Sequence, residues 1–385
     1  MKFVDLFAGC GGMSLGLEMA GFHPVLVSEI NENARASYRV NRPSMPDEVF
    51  CNDVAKIDEA ILGRLGEVDL VCGGPPCQGY SAIGYRRSYV VDRESIPSNH
   101  LFREMTRIID ILRPKAFLFE NVRGILNGRW TPDGRKGEIW HDVHSAFVAI
   151  KGYRIHWDLV HAKDFGVPQS RPRVIMIGVR EDVANQVRDR LTISKHRAPD
   201  PEDVLGDLMD MEWDKVSETT SYPQLAYTDF QERCRRLPDG RCNQKGDPVW
   251  EHVYAKHSPR IIEKFQYMLD HNGLIPDHMA TKKFSTRLIP RRWGNEGPSL
   301  TLTSLPDDFV HPFQPRTLTV REYARFQTFP DWYRFKGCRT VGNTDRAGNP
   351  LEGIWERVLP QFTQVANAVP VEMARIIGQH LAACL

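Results

Sequence analysis

Short apolar runs alternate with amphipathic stretches over the first 180 residues of the chain. Apolar runs bounded by glycine, proline or polar residues predict buried strands, and apolar positions spaced three and four apart predict helices. We therefore expect strands at 3–7, 24–28, 49–51, 68–72, 116–119, 153–160 and 174–179, and helices at 14–20, 31–41, 101–112 and 139–150. This alternation predicts an α/β fold built on a Rossmann-like sheet.

The pattern changes at about residue 181. Residues 181–290 have weak periodicity, many prolines and scattered aromatic residues. Regular patterning then returns, with one helix expected to open at 316–322 and a closing helix expected at 371–385. We therefore predict a catalytic and cofactor-binding domain at 1–180, a smaller second domain at 181–315, and a return to the first domain at 316–385.

The charge balance does not by itself indicate a nucleic-acid partner, because the formal net charge of the 385 residues is +1. Any basic surface must be local. Basic clusters do occur in the second domain, at 233–236, 282–283 and 291–292, among aromatic residues. Such clusters fit contact with nucleic acid, although a solvated face would look similar.

The cysteines and the hydropathy pattern limit the class of protein further. The eight cysteines include no CxxC pair, which fits reduced thiols in the cytoplasm. No apolar run is long enough to span a membrane. We predict no metal site, because the spacing of the four candidate ligands, Cys234, Cys242, His252 and His257, matches no regular zinc finger.

A glycine-rich loop follows the first predicted strand. Three glycines lie within residues 9–12, as in the nucleotide-binding opening of a Rossmann-like sheet. Ser14 stands where a dinucleotide fingerprint has its third glycine, so the loop indicates an adenosine-type ligand. Glu29 ends the second strand, where it could accept hydrogen bonds from ribose hydroxyls. Asp53 follows the third strand and could accept from an adenine amine or cap the next helix.

The stretch 73–79, Gly-Gly-Pro-Pro-Cys-Gln-Gly, places a thiol just beyond a buried strand. Its glycines and prolines make a rigid turn at the carboxyl end of that strand, where open α/β sheets bind ligands. Position alone makes Cys77 only a candidate nucleophile. Glu120, at the end of another strand, is expected at the same edge. The long polar segment 79–99 predicts a lid over the site or, alternatively, a disordered insertion.

Gln169, Arg171 and Arg173 alternate along the chain just before the last strand of the first domain. If this piece is extended, the three side chains lie on one side. Two guanidinium groups facing one way suit a phosphate or a base carbonyl. The alternative is a solvated edge strand.

Together these stretches resemble the DNA (cytosine-5) methyltransferase family, because the motifs follow the family's order across nearly the whole chain. Ala366 departs from the family pattern, which usually has glycine there. The chain between Arg173 and Arg316 corresponds to the family's variable target recognition region. The matching motifs are the cofactor motif at 5–12, the nucleophile motif at 74–78, the acidic motif at 120–122, the arginine motif at 169–173, the helix motif at 316–331 and the last motif at 367–369.

The resemblance implies methyl transfer from S-adenosyl-L-methionine to C5 of a flipped-out cytosine in a specific double-stranded DNA sequence. Cys77 would attack C6, and Glu120 would hold N3 and the exocyclic amine. Arg173 would bind the ring carbonyl, and Arg171 would position Cys77 or a phosphate. The implied cofactor-binding residues are Phe7, Gly9, Gly11, Gly12, Glu29, Ile30, Asp53, Val54, Pro75, Leu101, Asn367 and Val369.

The resemblance further implies a bacterial or phage enzyme that works as a monomer in the cytoplasm, with a cognate restriction endonuclease as partner if it belongs to a restriction–modification pair. The nearest alternative is a transfer-RNA cytosine-5 methyltransferase, but the Cys-Phe-Thr signature of that branch is absent from the sequence. A nicotinamide oxidoreductase would not need the Cys77 loop. A catalytically silent relative would not need Cys77, Glu120 and Arg173 together.

Overall fold

A mixed sheet of seven strands lies at the centre of the computed structural model, which describes residues 1–76, 97–131, 133–183, 191, 194–280, 287–341 and 358–385. The order across the sheet is β3-β2-β1-β4-β5-β7-β6, and β7 is antiparallel to both of its neighbours. This sheet confirms the predicted Rossmann-like α/β fold. The strands are β1 (Lys2–Leu6), β2 (His23–Ser28), β3 (Phe50–Cys51), β4 (Leu70–Gly73), β5 (Ala116–Val122), β6 (Tyr153–His161) and β7 (Pro172–Arg180).

The helices begin and end close to the predicted positions where local capping signals exist. Asn31 caps the second helix as predicted, since its Oδ1 accepts a hydrogen bond of 3.1 Å from Ala34 N. The helices are α1 (Gly12–Met19), α2 (Glu32–Val40), α3 (Glu59–Gly63), α4 (Phe102–Leu112), α5 (Glu138–Val148), α6 (Pro201–Leu205), α7 (Asp229–Arg235), α8 (Pro259–Asp270), α9 (Val320–Phe326), α10 (Gln361–Asn367) and α11 (Val371–Ala382). A further parallel pair joins β8 (Arg287–Leu288) to β9 (Phe309–Val310).

The register of the sheet brings the strand ends to one level. Leu6 pairs with both Ser28 and Gly73, and Gly73 pairs with Phe119. The antiparallel β7 enters at the same edge, where Arg173 pairs with Val122. The loops that follow β1, β2, β4 and β5 therefore meet the start of β7 at the carboxyl edge of the sheet.

Apolar side chains cover both faces of the sheet because successive strand residues point to opposite sides. Val4 packs towards α4 and α5, while Phe3 packs towards α1 and α11. The two helices on the second face approach each other closely at glycines. A Cβ on Gly16 of α1 would lie 2.5 Å from Ala374 Cβ, and one on Gly378 of α11 would lie 2.8 Å from Ala20 Cβ.

Buried ion pairs surround α9. The guanidinium of Arg325 pairs with Asp331 at 2.6 Å and also with Asp207, and all three side chains are buried. Asp207 additionally pairs with Arg235 at 2.7 Å. Arg235 belongs to the basic cluster 233–236, which fits contact with nucleic acid or a solvated face. Neither interpretation holds for Arg235, because it is buried and its charge is compensated inside the protein.

The start of α9 carries a second buried pair. Arg316 donates to both carboxylate oxygens of Glu322, at 2.8 and 2.6 Å. Glu322 also accepts from Thr319 N at 2.7 Å, and Thr319 Oγ1 accepts from Glu322 N at 3.2 Å, which forms a capping box. The Arg316 guanidinium beside Glu322 holds the pKa of that carboxyl well below its usual range despite its burial. With Thr319 as its cap, the helix begins at Val320, four residues after the start that the sequence predicts at Arg316.

We expect Asp207→Asn to lower the free energy of unfolding by about 3 kcal/mol, because it leaves two buried guanidinium groups facing a neutral amide. Urea denaturation measures this. The control Glu212→Gln breaks the exposed pair of Glu212 with Lys215 and should leave the midpoint unchanged. Equal effects of the two substitutions would contradict the importance of burial.

Candidate active site

The loop after β1 has an unusual backbone. Phe7, Gly9 and Gly11 all have left-handed φ angles, of 63°, 57° and 88°. Such angles suit glycine but strain a residue with a side chain, so the surroundings must hold Phe7 in place. Two residues further on, the loop is held by a 2.7 Å hydrogen bond from Gly9 N to Glu29 Oε2.

Glu29 joins the loop that follows β1 to the loop that follows β2. Its second oxygen, Oε1, accepts from Asn31 N at 2.7 Å. Burial raises the pKa of the Glu29 carboxyl, which is only partly offset by these backbone donors. Asp53, after β3, accepts from Ala55 N at 3.0 Å through Oδ1, so it is the cap that we weighed as one of its two roles.

The surroundings of the loop fit an adenosine-type ligand. A Cβ placed on Gly9 would meet no heavy atom within 4 Å, so there is open space over that residue. Ile30, directly after Glu29, is 74% exposed. Phe7 and Leu101 are half-buried against the core. The Glu29 carboxylate therefore lies beside apolar side chains, of which Ile30 is exposed.

The last motif lies against the glycine loop. A Cβ on Gly12 would lie 2.5 Å from the carbonyl oxygen of Val369, so only glycine fits there. Val369 is buried, and Asn367 is exposed as the last residue of α10. Val54 is buried at the start of the short turn that Asp53 caps.

The hydrogen bonds of Ser14 explain why a serine stands where a dinucleotide fingerprint has its third glycine. Its hydroxyl donates to Asp5 Oδ2 at 2.5 Å and lies 2.8 Å from the Tyr38 hydroxyl. Asp5 is fully buried under the loop, and burial raises the pKa of its carboxyl to about 7. The serine therefore satisfies a buried acid, which the sequence alone did not reveal.

The nucleophile loop is described only up to Pro76; Cys77 and most of the predicted lid at 79–99 lie outside the described residues. Its base is joined to β5. A Cβ on Gly74 would lie 2.9 Å from Glu120 Oε2, and Asn121 Nδ2 donates to the Pro75 carbonyl at 3.1 Å. The turn that leads to Cys77 thus starts in contact with the acidic motif.

Arg173 orients the acidic group. Its Nε lies 2.6 Å from Glu120 Oε1, and both side chains are buried. The pairing leaves the Oε2 side of Glu120 facing Gly74, where the nucleophile turn begins. Arg173 and Glu120 therefore form one unit at the edge of the sheet.

Arg171 has other partners than Arg173, although the alternation of the two residues predicts that both side chains face one way. Its Nη2 donates to the carbonyls of Ala366 and Ala368, at 2.5 and 2.9 Å. Desolvation by burial, with Arg173 nearby, lowers the pKa of the Arg171 guanidinium well below its usual range. Its Nε is buried and has no hydrogen-bond partner within the described residues, so one donor is left for a neighbouring group.

The expectation of one extended piece carrying Gln169, Arg171 and Arg173 on one side is wrong. Arg171 has a left-handed φ of 36°, which turns the chain before β7 begins. Gln169 points instead to Gln327, with its Nε2 2.8 Å from the Gln327 side-chain oxygen. The alternative of a solvated edge is also excluded, because all three side chains are buried.

Gln327 is a residue that the sequence did not single out. Its Nε2 donates to the carbonyls of Val365 and Ala368, at 2.7 and 3.0 Å, and so ties the end of α9 to the last motif. Its partners lie far along the chain. A glutamine in an apolar helix motif was the available signal, because a buried amide needs partners.

The predicted absence of a metal concerns Cys234, Cys242, His252 and His257. The His252 ring is engaged by Thr319 Oγ1 at 2.9 Å and by the Leu208 carbonyl at 3.0 Å. Among the described residues, no group of three or more His, Cys, Asp or Glu side chains could hold a metal ion. In the same part of the chain, no helix has the length and apolar character needed to cross a membrane.

The sheet order with its reversed β7 and the glycine loop define a Rossmann-like methyltransferase. The chain belongs to the C-5 cytosine-specific DNA methylase family, whose model matches residues 1–383. It is therefore a DNA (cytosine-5) methyltransferase.

Individual relatives align over nearly all of the chain. The type II methyltransferase M.DdeI of Desulfomicrobium norvegicum is 30% identical, covering 99% of this chain and 88% of the relative. M.Sau96I of Staphylococcus aureus is 31% identical, covering 98% and 74%. A solved E. coli structure, assigned as a DNA modification methyltransferase encoded within a prophage, is 24% identical to this chain. The alignment covers 99% of this chain and 98% of that one, and its TM-score of 0.70 supports the fold.

We expect Asp5→Asn to change how stability depends on pH. The folded Asp5 keeps its proton up to about pH 7, whereas the unfolded carboxyl loses it near 3.8. Asp5 therefore contributes stability below pH 4 that is lost as the pH rises to 7, at about 1.4 kcal/mol per pH unit. The free energy of unfolding of the unsubstituted protein minus that of Asp5→Asn, measured by urea denaturation from pH 4.5 to 8, should fall with this slope up to about pH 7, since the buried histidines affect both proteins alike. Parallel curves would contradict it.

Proposed function

We propose that the enzyme transfers a methyl group from S-adenosyl-L-methionine to C5 of a cytosine within a specific double-stranded DNA sequence. Cys77 adds to C6 after the base has left the helix. The observation that carries this proposal is the contact between the acidic motif and the base of the nucleophile turn, at Gly74 and Pro75, on the sheet edge that also holds the glycine loop.

The chemistry requires a thiolate and an acid at one base. Cytosine C5 is a poor nucleophile, and addition of the Cys77 sulfur to C6 makes it enamine-like. Glu120, oriented by Arg173, holds N3 and the exocyclic amine and stabilises the protonated ring. Arg173 binds the ring carbonyl. After C5 has gained its methyl, it gives up its proton to solvent. The electron pair of that C–H bond restores the C5–C6 double bond, and the bond between C6 and sulfur breaks to return the thiolate.

Arg171 has a positioning role in this proposal. Its Nη2 is engaged by backbone carbonyls, whereas its buried Nε is a donor for a group on the nucleophile side. A buried donor without a partner costs stability, so a group in the Cys77 turn or a phosphate of the substrate is its expected acceptor. This agrees with the role that the resemblance implies.

The methyl donor fits the glycine loop. Bound S-adenosyl-L-methionine supplies an electrophilic methyl on its sulfonium. Glu29 would hold the ribose hydroxyls, and Ile30, Phe7, Val54 and Leu101 would lie around the adenine. Asp53 uses Oδ1 as a helix cap and would accept from the adenine amine through Oδ2. The remaining residues that would complete the site are Gly9, Gly11, Gly12, Pro75, Asn367 and Val369.

Residues 181–315 form the target recognition domain in this proposal, between the catalytic segments 1–180 and 316–385. Contacts with base edges specify a sequence, whereas phosphate contacts only position the protein. Flipping the base costs roughly a few kcal/mol, which contacts from this domain and from 79–99 offset. Arg291 and Arg292 are exposed here and remain candidates for DNA contact.

The biological setting is also part of the proposal. The relatives M.DdeI and M.Sau96I are named type II methyltransferases. We infer a restriction–modification role, with a cognate endonuclease acting on the same DNA site. The enzyme is expected to work as a monomer in the cytoplasm.

The ribose assignment of Glu29 predicts that Glu29→Gln will weaken binding of S-adenosyl-L-homocysteine and reduce the preference for ribose, because a neutral amide oxygen accepts more weakly than a carboxylate. We expect the unsubstituted enzyme to bind this ligand about tenfold tighter than its 2′-deoxy analogue, because the analogue lacks the hydroxyl that donates to the Glu29 carboxylate. Calorimetry with both ligands measures the ratio. A ratio that stays high in Glu29→Gln would mean that Glu29 acts only through Gly9.

The nucleophile assignment predicts that duplex DNA carrying 5-fluorocytosine at the target will trap the enzyme, since fluorine cannot leave C5 as the proton does. Cys77→Ser should lose both the adduct and methyl transfer but still bind DNA. Denaturing gels and transfer of labelled methyl groups, on duplex DNA and on transfer RNA, provide the readout.

The exposed Cys338 offers a matched control, and Cys338→Ser should keep the adduct. Adduct formation by Cys77→Ser would assign the attack to another residue. Methylation of transfer RNA but not of DNA would overturn the proposed substrate.

A further inference from the structure

The carbonyl of Cys10, in the middle of the glycine loop, is held by a side chain that lies 323 residues further along the chain. Tyr333 donates its hydroxyl hydrogen to Cys10 O at 2.5 Å, and both residues are buried. A Cβ on Gly11 would lie only 2.7 Å from the same hydroxyl. The loop is therefore fixed from outside as well as by its bond to Glu29.

The direction of this hydrogen bond is determined by a second partner. Arg42 Nη1 lies 3.0 Å from the Tyr333 hydroxyl, and a guanidinium can only donate. The hydroxyl oxygen accepts from Arg42, so its hydrogen points to Cys10 O. Arg42 is fixed in turn by Glu18, at 2.9 Å from Nε to Oε1. Burial raises the pKa of Tyr333, so its hydroxyl stays protonated.

The backbone of Tyr333 is attached to the recognition domain. Its carbonyl accepts from Arg321 Nη2 at 2.8 Å, and the same nitrogen lies 2.6 Å from Glu251 Oε2. The other oxygen of Glu251 accepts from Arg334 Nε at 2.7 Å. Glu251, in the segment 181–315, thus holds both Arg321, which donates to the Tyr333 carbonyl, and Arg334, the next residue along the chain.

We propose that Tyr333 is a positioning residue for the cofactor, and that Glu251 holds it in place through Arg321. The loop contains strained left-handed positions, which persist only when surrounding contacts determine them. Without the bond to Cys10 O, a smaller fraction of molecules has the loop in its binding conformation, and the apparent dissociation constant rises by that factor. The inference rests on the proposed binding of S-adenosyl-L-methionine at this loop.

Tyr333→Phe tests the inference, with Tyr323→Phe as a matched control. Tyr323 is also a fully buried tyrosine that donates to a backbone carbonyl, that of Leu305 at 3.0 Å, but it does not touch the loop. We expect Tyr333→Phe to raise the KM and Kd for S-adenosyl-L-methionine about fivefold, as one lost hydrogen bond does. The kcat at saturating cofactor and the affinity for DNA should stay within twofold, and Tyr323→Phe should change none of the four.

The outcomes separate the possible failures. An unsubstituted enzyme that does not bind S-adenosyl-L-methionine in calorimetry would overturn the proposed function. Normal binding by both the unsubstituted enzyme and Tyr333→Phe would overturn only the role of Tyr333. Equal losses of affinity in both phenylalanine variants would also overturn it, because the effect would then follow from general destabilisation.

The Glu251 part of the inference is tested by coupling. Glu251→Gln should raise the Kd for S-adenosyl-L-methionine in the same direction as Tyr333→Phe but by less, since it acts through Arg321. In the double variant the two effects should not multiply, because both act on the same hydrogen bond. Fully multiplicative effects would show that Glu251 does not act through Tyr333.

Discussion

The pairing of buried guanidinium groups around α9 is the constraint on which the arrangement of this enzyme depends. A charge inside a protein needs a partner, because removal of one member of a buried pair leaves an uncompensated charge. Arg325 takes Asp207 as a partner and Arg321 takes Glu251, and both carboxylates come from the segment 181–315. The segment 181–315 therefore cannot separate from α9 without exposing or isolating these charges.

Local signals predicted most of the sheet and its helices. Apolar runs located the strands to within a few residues, and the asparagine at position 31 marked a helix start because its side chain caps the next residues. The expectation that Glu120 and the stretch 73–79 meet at one edge followed from their positions after strands. The register confirms the shared edge, since Gly73 pairs with Phe119.

Contacts over long stretches of sequence were not predictable in the same way. Arg171 alternates with Arg173 in the sequence, but its partner is the carbonyl of Ala366, 195 residues away. Arg235 stands in a basic cluster and yet neutralises Asp207. Neither partner leaves a periodic signal, because each of these contacts is made by a single polar group at one position far along the chain. Cys77 itself lies outside the described residues, so its assignment continues to rest on sequence.

The close packing of α1 against α11 has a consequence for synthesis on the ribosome. The apolar face formed by Phe3, Met13 and Leu17 is completed by Met373, Ile377 and Leu381. This face stays open to solvent or to chaperones until residues 371–382 have emerged, because the chain is made from its amino end. Final closure of this face of the sheet is thus a late event in biogenesis, although β1 and α1 are among the first elements to be translated.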